Sequence, residues 1–335
     1  MRLMHRRQRG VILIIVMWLL AALSLLTLGL AYRLRLEARI MRYRNDRREM
    51  LELARAAVTL ARARIERSEG PLTYYGQPWA APIVISEADL SDMGSDALQR
   101  WRVEALVFDE LGKLNVNAAT RGQLMQIPGM DEEISAAIID WRDEDNDEMS
   151  QGAEARYYQE LTPPYISKNA PLESIWELLL VRGIDTELFA GRRPARLIDE
   201  GSSDWAYWPE GLRDFLTVHG QGRININTAG PEVLAAAVPG LDSYMIENLL
   251  AFRRGVDGVE RTGDDRPIES FDELEQIGGM TEFAINQAAM HCVLSSQTFH
   301  IHVRVSGVDS TASLELDVGV RRSGRGLETL YWREI

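Results

Sequence analysis

The chain is 335 residues long and 46% hydrophobic, with a formal charge of −13 that is unevenly spread: residues 1–50 hold 11 of the 37 Lys and Arg and 3 of the 50 acidic residues, leaving −21 on residues 51–335. An acidic body of that kind repels nucleic-acid phosphates and attracts cations or basic partners. Cys292 is the only cysteine, which excludes an intrachain disulfide; with no second thiol near its neighbour His291 it reads as a buried structural residue.

Met1 to Gly10 (MRLMHRRQRG) is a basic leader with Arg2, Arg6, Arg7 and Arg9, and Val11 to Tyr32 (VILIIVMWLLAALSLLTLGLAY) carries no charge. At ~1.5 Å per residue a helix of that length covers the ~30 Å hydrocarbon core of a bilayer. The positive-inside rule keeps the leader cytoplasmic and sends everything after Tyr32 across. A cleaved secretory signal is one alternative, since Gly29 and Ala31 are small enough for a peptidase, although such apolar regions run to about 7–15 residues. An uncleaved bitopic anchor is another.

Residues 33–69 contain no Pro or Gly and consist mostly of strong helix formers, with Leu36, Ile40, Tyr43, Met50, Ala54, Ala57, Ala61 and Ile65 along one face. Span and extension predict one helix of about 59 residues, ended by Gly70-Pro71. Its apolar stripe needs a cover, and β structure is expected to supply it. Trp101 to Phe108 alternates, and together with Asp109-Glu110-Leu111-Gly112 and Lys113 to Asn117 it predicts a hairpin. Phe299 to Val305, Ala312 to Val320 and Leu327 to Trp332 predict an antiparallel sheet.

Between these β regions the chain reads as helical and repeats itself. Lys113-Leu-Asn-Val-Asn-Ala-Ala aligns with Arg223-Ile-Asn-Ile-Asn-Thr-Ala, Ile127-Pro-Gly-Met-Asp with Val238-Pro-Gly-Leu-Asp, and Trp141-Arg142 with Phe252-Arg253. Each copy predicts a short strand, a helix starting at Thr120 or at Gly230-Pro231, a Pro-Gly hairpin and a second helix. Weaker echoes run over 271–289, with Ile277-Gly-Gly-Met-Thr, and over 172–185. Helix-hairpin-helix repeats describe all four. Such hairpins can cradle a DNA phosphate, but here Asp131 and Asp242 stand at the hairpin and the body is acidic, which favours a structural use.

The densest chemistry is Asp140-Trp-Arg-Asp143-Glu144-Asp145-Asn146-Asp147-Glu148, followed by Glu154. Asp143, Asp145 and Asp147 stand at positions one, three and five of an EF-hand-like spacing and Glu154 at twelve, whereas Glu148 replaces the Gly that a standard EF-hand needs at six. Carboxylates so crowded repel one another unless a hard cation joins them, so Asp140, Asp143, Asp145, Asp147 and Glu154 are the candidate Ca²⁺ ligands; the bland alternative is a solvated acidic loop. Asp257, Glu260, Asp264 and Asp265 form a second, weaker candidate. No catalytic constellation appears: His219, His291, His300 and His302 are scattered, the last two on an expected sheet face, and Trp205, Tyr207 and Trp208 read as a packed connector.

Taken together, RRQRG before the apolar run, EARI after it, LNVNAAT, IPGM, IIDWRDEDND, GAEARYYQELTPPYISKNAPLESIWELLLVRGI and FLTVHGQGRININTAGPEVLAAAVPGL resemble the type II secretion system minor pseudopilin K family over nearly the whole chain. The resemblance implies cleavage by a prepilin peptidase between Gly10 and Val11, methylation of the new terminus, calcium binding through acidic loops, and a place at the tip of a periplasmic pseudopilus. It implies as partners the minor pseudopilins I and J, other pseudopilins and the inner-membrane secretion platform, with no nucleic acid and no enzymatic activity. It further implies a single-pass protein of the bacterial inner membrane with its body in the periplasm.

The expected fold is α+β. A leader (1–10) and a transmembrane part of the long helix (11–32) precede a pilin-like domain in two parts (33–117 and 293–335, the second an antiparallel sheet). An α-helical domain with helix-hairpin-helix (SAM-like) repeats is inserted at 118–292. Two departures from general pilins stand out: Val11 replaces the usual Phe, and Ile15 stands where most carry Glu. A carboxylate at membrane depth is costly and useful only against a neighbour's terminal amine, so a subunit with nothing ahead of it has no use for one. A rival reading joins the same anchor and repeats into a membrane-tethered DNA-binding protein of the competence type.

Overall fold

The computed structural model describes residues 5–68, 70–86, 96–191, 211–324 and 326–335, so Trp205, Tyr207 and Trp208 lie outside the described residues. In chain order the elements are α1 (His5–Arg67), β1 (Ile83–Val84), α2 (Asp96–Arg100), β2 (Trp101–Asp109), β3 (Leu114–Asn115), α3 (Arg121–Leu124), α4 (Glu132–Arg142) and α5 (Ala155–Gln159). Then follow α6 (Thr186–Ala190), α7 (Leu212–Phe215), β4 (Leu216–Thr217), β5 (Ile224–Asn225), α8 (Pro231–Ala237), α9 (Ser243–Arg253), α10 (Glu282–His291), β6 (Cys292–Val293), β7 (Thr298–Gly307), β8 (Ser313–Ser323) and β9 (Gly326–Glu334). The chain forms two compact units, Met1–Glu52 and Leu53–Ile335.

In the first unit α1 is uninterrupted, as the run of helix formers requires, and it begins ahead of Val11. Its apolar side chains from Ile12 to Leu30 are exposed, and among the described residues it is the one helix long and apolar enough to cross a membrane. Leu36, Ile40 and Tyr43, on the expected stripe, are exposed as well.

In the second unit the stripe is covered. Leu53, Ala54, Ala57, Val58, Ala61 and Ile65 are buried at helical spacing, and Arg62 and Arg322 tie the helix to the sheet: Arg62 donates to Thr329 and to the Leu327 carbonyl, and Arg322 donates to the Ile65 carbonyl, each at 2.7 Å. The sheet has the order β1-β2-β7-β8-β9, antiparallel throughout. Its register aligns Val103, Val305 and Leu314, then Ala105, Val303 and Leu316, then Val107, Ile301 and Val318, giving one apolar face. The other face carries His300, His302, Arg304, Glu315 and Asp317, and β7 is buried there too.

The expected hairpin at 101–117 does not form. β2 pairs along its whole length with β7 and, at Glu104 and Ala105, with β1, and the Asp109 side chain accepts the Leu111 amide to start a 3-10 turn over Glu110–Gly112 that carries the chain out of the sheet. β3 instead pairs in parallel with β4. The chain therefore leaves the sheet at Asp109 and returns to the neighbouring strand at Thr298, and the excursion between them has its own apolar core running from Leu114 to Cys292.

That excursion is duplicated. β5 pairs in parallel with β6 as β3 does with β4. Asn117 exchanges two hydrogen bonds with the backbone of Leu172, and Asn227 does the same with Ile268. Arg142 donates to the carbonyls of Val116 and Ala119, and Arg253 to those of Ile226 and Ala229. Gly129, Gly183, Gly240 and Gly279, each in a turn just ahead of a helix and with φ between +81° and +86°, face the following helices in pairs: Gly129 abuts Leu188 and Gly183 abuts Ile134, while Gly240 abuts Phe283 and Gly279 abuts Tyr244.

Candidate functional site

The acidic loop follows α4, whose Trp141-Arg142 end is anchored by the Arg142 bonds to the preceding strand and turn. Asp143, Asp145 and Glu154 each present a carboxylate oxygen, all within 4.8 Å of one another. Glu154 is 4% exposed, and both its Oε1 and Asp143 Oδ1 are buried without a hydrogen-bond partner. Asn169 adds another unpartnered oxygen beside the loop: its amide nitrogen donates to the Asp145 carbonyl at 2.5 Å and to Asn146 Oδ1, leaving its own Oδ1 buried and unused.

Of the expected ligands, then, Asp143, Asp145 and Glu154 converge. Asp147 is exposed and contributes its amide, which donates to Asp145 Oδ1 at 2.8 Å. Asp140 is fully buried and accepts the Met149 amide; Gly152 lies so close that a Cβ there would collide with the carboxylate. Burial pushes Glu154 up to about 7 and Asp140 up to about 6, with neighbouring carboxylates adding to both, and Asp143 rises for the same reasons. Charges held that reluctantly, with hard oxygen atoms pointed at a common place, fit a Ca²⁺ ion better than they fit a solvated loop.

The second loop occupies the equivalent place in the other copy but satisfies most of its own carboxylate oxygens. Asp264 Oδ2 accepts the amides of Val256 and Asp257, and its Oδ1 accepts the Thr262 hydroxyl, so its pKa is lowered. Glu260 pairs with Arg253 at 3.2 Å, and Asp257 Oδ1 accepts the Val259 amide. Asp265 Oδ2 accepts the Arg261 amide at 2.7 Å. Each of these four carboxylates has a protein donor, and Asp265 Oδ1 remains bare, buried without a hydrogen-bond partner.

A third cluster was not legible as such in the sequence. On the polar face of the sheet His300, His302 and Asp317 meet, all buried. Alternation alone places His300 and His302 on one face, but Asp317 joins them only through the β7–β8 register, which sets it opposite His302.

At the hairpins, Asp131 and Asp242 are helix N-caps, accepting the amides of Ile134 and Met245 at 2.8 Å. A carboxylate thus occupies the helix N-terminus where a phosphate would otherwise bind. Cys292 is buried and inert, its thiol pushed up to about 12 by burial. Gly10 and Val11 lie within α1, and Ile15 is exposed on it.

Two family models, both described as type II secretion system (T2SS) protein K, match residues 103–195 and 224–290. Type II secretion system protein K of Klebsiella pneumoniae is 27% identical over 202 residues, covering 56% of this chain and 61% of that protein. The Pectobacterium carotovorum protein is 30% identical over 206 residues with the same coverage. The Pseudomonas aeruginosa protein is 26% identical over 303 residues, covering 83% of this chain and 80% of its own. The chain thus spans about three-fifths of the length of the first two relatives. A crystal structure of the GspK-GspI-GspJ complex from the enterotoxigenic Escherichia coli type 2 secretion system contains a chain of the same fold, with a TM-score of 0.59, 18% identity, and coverage of 88% of this chain and 99% of that one.

Proposed function

We propose that this chain, which belongs to the type II secretion system protein K family, is a minor pseudopilin that forms the tip of a periplasmic pseudopilus and helps initiate its assembly. The observation that carries this reading is the joining of both matched segments to an exposed apolar helix that follows a basic leader. The helix anchors the protein in the inner membrane as a single pass with the body in the periplasm, and later packs against subunits below. The structural relative is held with GspI and GspJ, which supports minor pseudopilins I and J as partners here.

The role is that of a non-enzymatic assembly part. The four glycine turns are read as helix-hairpin-helix units used as scaffold, because carboxylate caps at Asp131 and Asp242 and the acidic body leave a DNA phosphate no favourable seat. Ca²⁺ at Asp143, Asp145 and Glu154 sets the shape of the loop between α4 and α5.

Intact-mass and N-terminal analysis of the chain extracted from membranes tests the assignment. Cleavage between Gly10 and Val11 gives a mature chain starting at Val11, methylated or not. A chain retaining Met1, or one cut after Ala31, would overturn it.

A further inference from the structure

We propose that His300, His302 and Asp317 form a metal site for Zn²⁺, separate from the acidic loop, that ties β7 to β8 on the polar face of the sheet. His302 Nδ1 lies 2.5 Å and His300 Nε2 3.0 Å from the same oxygen, Asp317 Oδ1. The three residues are 1%, 8% and 3% exposed.

The second separation is short but lies outside hydrogen-bond geometry, so His300 Nε2 is a buried nitrogen without a hydrogen-bond partner beside the shared oxygen. One carboxylate oxygen facing two ring nitrogens is what a cation between them organises. Zn²⁺ bonds of about 2.0–2.2 Å set tetrahedral ligand atoms roughly 3.3 Å apart, so the triad accepts the ion by opening less than about 1 Å.

The outer contacts match. The remaining nitrogen of each ring faces a carboxylate: His300 Nδ1 lies 3.8 Å from Glu110 Oε1, and His302 Nε2 lies 3.8 Å from Glu315 Oε2. Metal-bound imidazoles characteristically have a carboxylate on that side, and here each lies beyond hydrogen-bond length, within reach of a small side-chain rotation. Of the nearby guanidiniums, Arg304 holds Glu315, outside the ligand triad, at 2.6 Å, and Arg213 approaches the far oxygen of the triad's own carboxylate, Asp317 Oδ2, at 3.6 Å, leaving Oδ1 to the two rings.

A cavity of about 130 Å³ beside His300 and Asp317, also lined by Glu110, Arg213 and Tyr331, leaves room for water as a fourth ligand. Two imidazoles and one carboxylate suit Zn²⁺ and not Ca²⁺, which takes six to eight oxygens. The ligands come from the adjacent strands β7 and β8, so the ion would join those two strands, and the excursion meets the site through the outer contacts of Glu110 and Arg213.

The test uses the untagged full chain in detergent, stripped with chelator and then kept in Ca²⁺ so that the acidic loop is satisfied, with Co²⁺ as the probe. One equivalent of Co²⁺ is expected to give the visible absorption of a tetrahedral site, displaced by Zn²⁺. His302→Gln should weaken Zn²⁺ binding at least tenfold while leaving the Ca²⁺ response intact. His300→Cys should keep the site and add a near-ultraviolet sulfur-to-cobalt band. Absence of the visible band in the parent protein overturns the proposal, as does its persistence at full strength in His302→Gln. Should His302→Gln not fold, the parent titration and the His300→Cys spectrum decide, and a His300→Cys chain with no new band counts against it.

Discussion

Asn227 holds Ile268 by two hydrogen bonds, its side-chain oxygen accepting the Ile268 amide at 2.7 Å and its side-chain nitrogen donating to the Ile268 carbonyl at 3.0 Å. Asn117 grips Leu172 in the same way at 2.8 Å on both bonds. A side-chain amide so used imitates a paired strand, closing each copy of the repeat where no ladder reaches.

The two clamps differ in burial, and that sets the first prediction. Asn227 is 2% exposed and Asn117 half-buried. Removing a buried partner strands a backbone donor and acceptor at about 1–3 kcal/mol each. Asn227→Ala should therefore lower unfolding stability by about 3 kcal/mol in urea, and Asn117→Ala by about half as much. Equal losses would mean that water reaches both sites alike.

The acidic loop makes a prediction that separates spacing from geometry. Asp145→Ala and Glu154→Ala should abolish the rise in thermal stability on adding Ca²⁺, a stabilisation of about 2.7 kcal/mol at a hundred times the dissociation constant. Asp147→Ala should keep it, since the Asp147 amide contact to Asp145 does not need the side chain. If all three variants behave alike, the EF-hand-like spacing describes the site better than the folded loop does.

The facing turns predict coupling between distant residues. Gly240 has φ +86°, and a Cβ there would fall 2.6 Å from the Phe283 ring. Gly240→Ala meets both backbone strain, about 1–2 kcal/mol, and a steric clash. In a double-mutant cycle with Phe283→Ala, the clash part should disappear and the strain part remain, leaving an interaction energy of about 1 kcal/mol by denaturant unfolding.

Asp265 supplies a pH dependence. It is 8% exposed; burial, and then the charge of Glu260, push its carboxyl up to about 6 from 3.8 against the opposing Arg261 amide. A pKa higher in the folded state means that the native chain binds the proton more readily, so this contribution is full below about pH 4 and is lost as pH rises through about 6. Asp265→Asn keeps an acceptor for the Arg261 amide and removes the charge. It should be more stable than the parent by about 2 kcal/mol at pH 7, with the gap closing near pH 3.5 in urea titrations.

The uncharged run from Val11, the uninterrupted helix behind it, the three C-terminal strands and the duplicated Asn, Pro-Gly and Arg positions were legible in the chain alone. Each is local: helix propensity, alternation, turn chemistry and repetition act over a few residues. The resemblance to protein K rested on those same segments.

What only the tertiary structure decided is every relationship that depends on register and on chain return. Residues 101–117 carry the local marks of a hairpin, yet β2 pairs along its whole length with β7, nearly two hundred residues later, and the turn after Asp109 carries the chain out of the sheet to where β3 pairs with β4. Asp147 has the right spacing but stands outside the group that Asp143, Asp145 and Glu154 form, because spacing fixes distance along the chain and not the direction of a carboxylate. His302 and Asp317 meet for the opposite reason: nothing between them in sequence marks the pair, and only the pairing of β7 with β8 sets one across from the other.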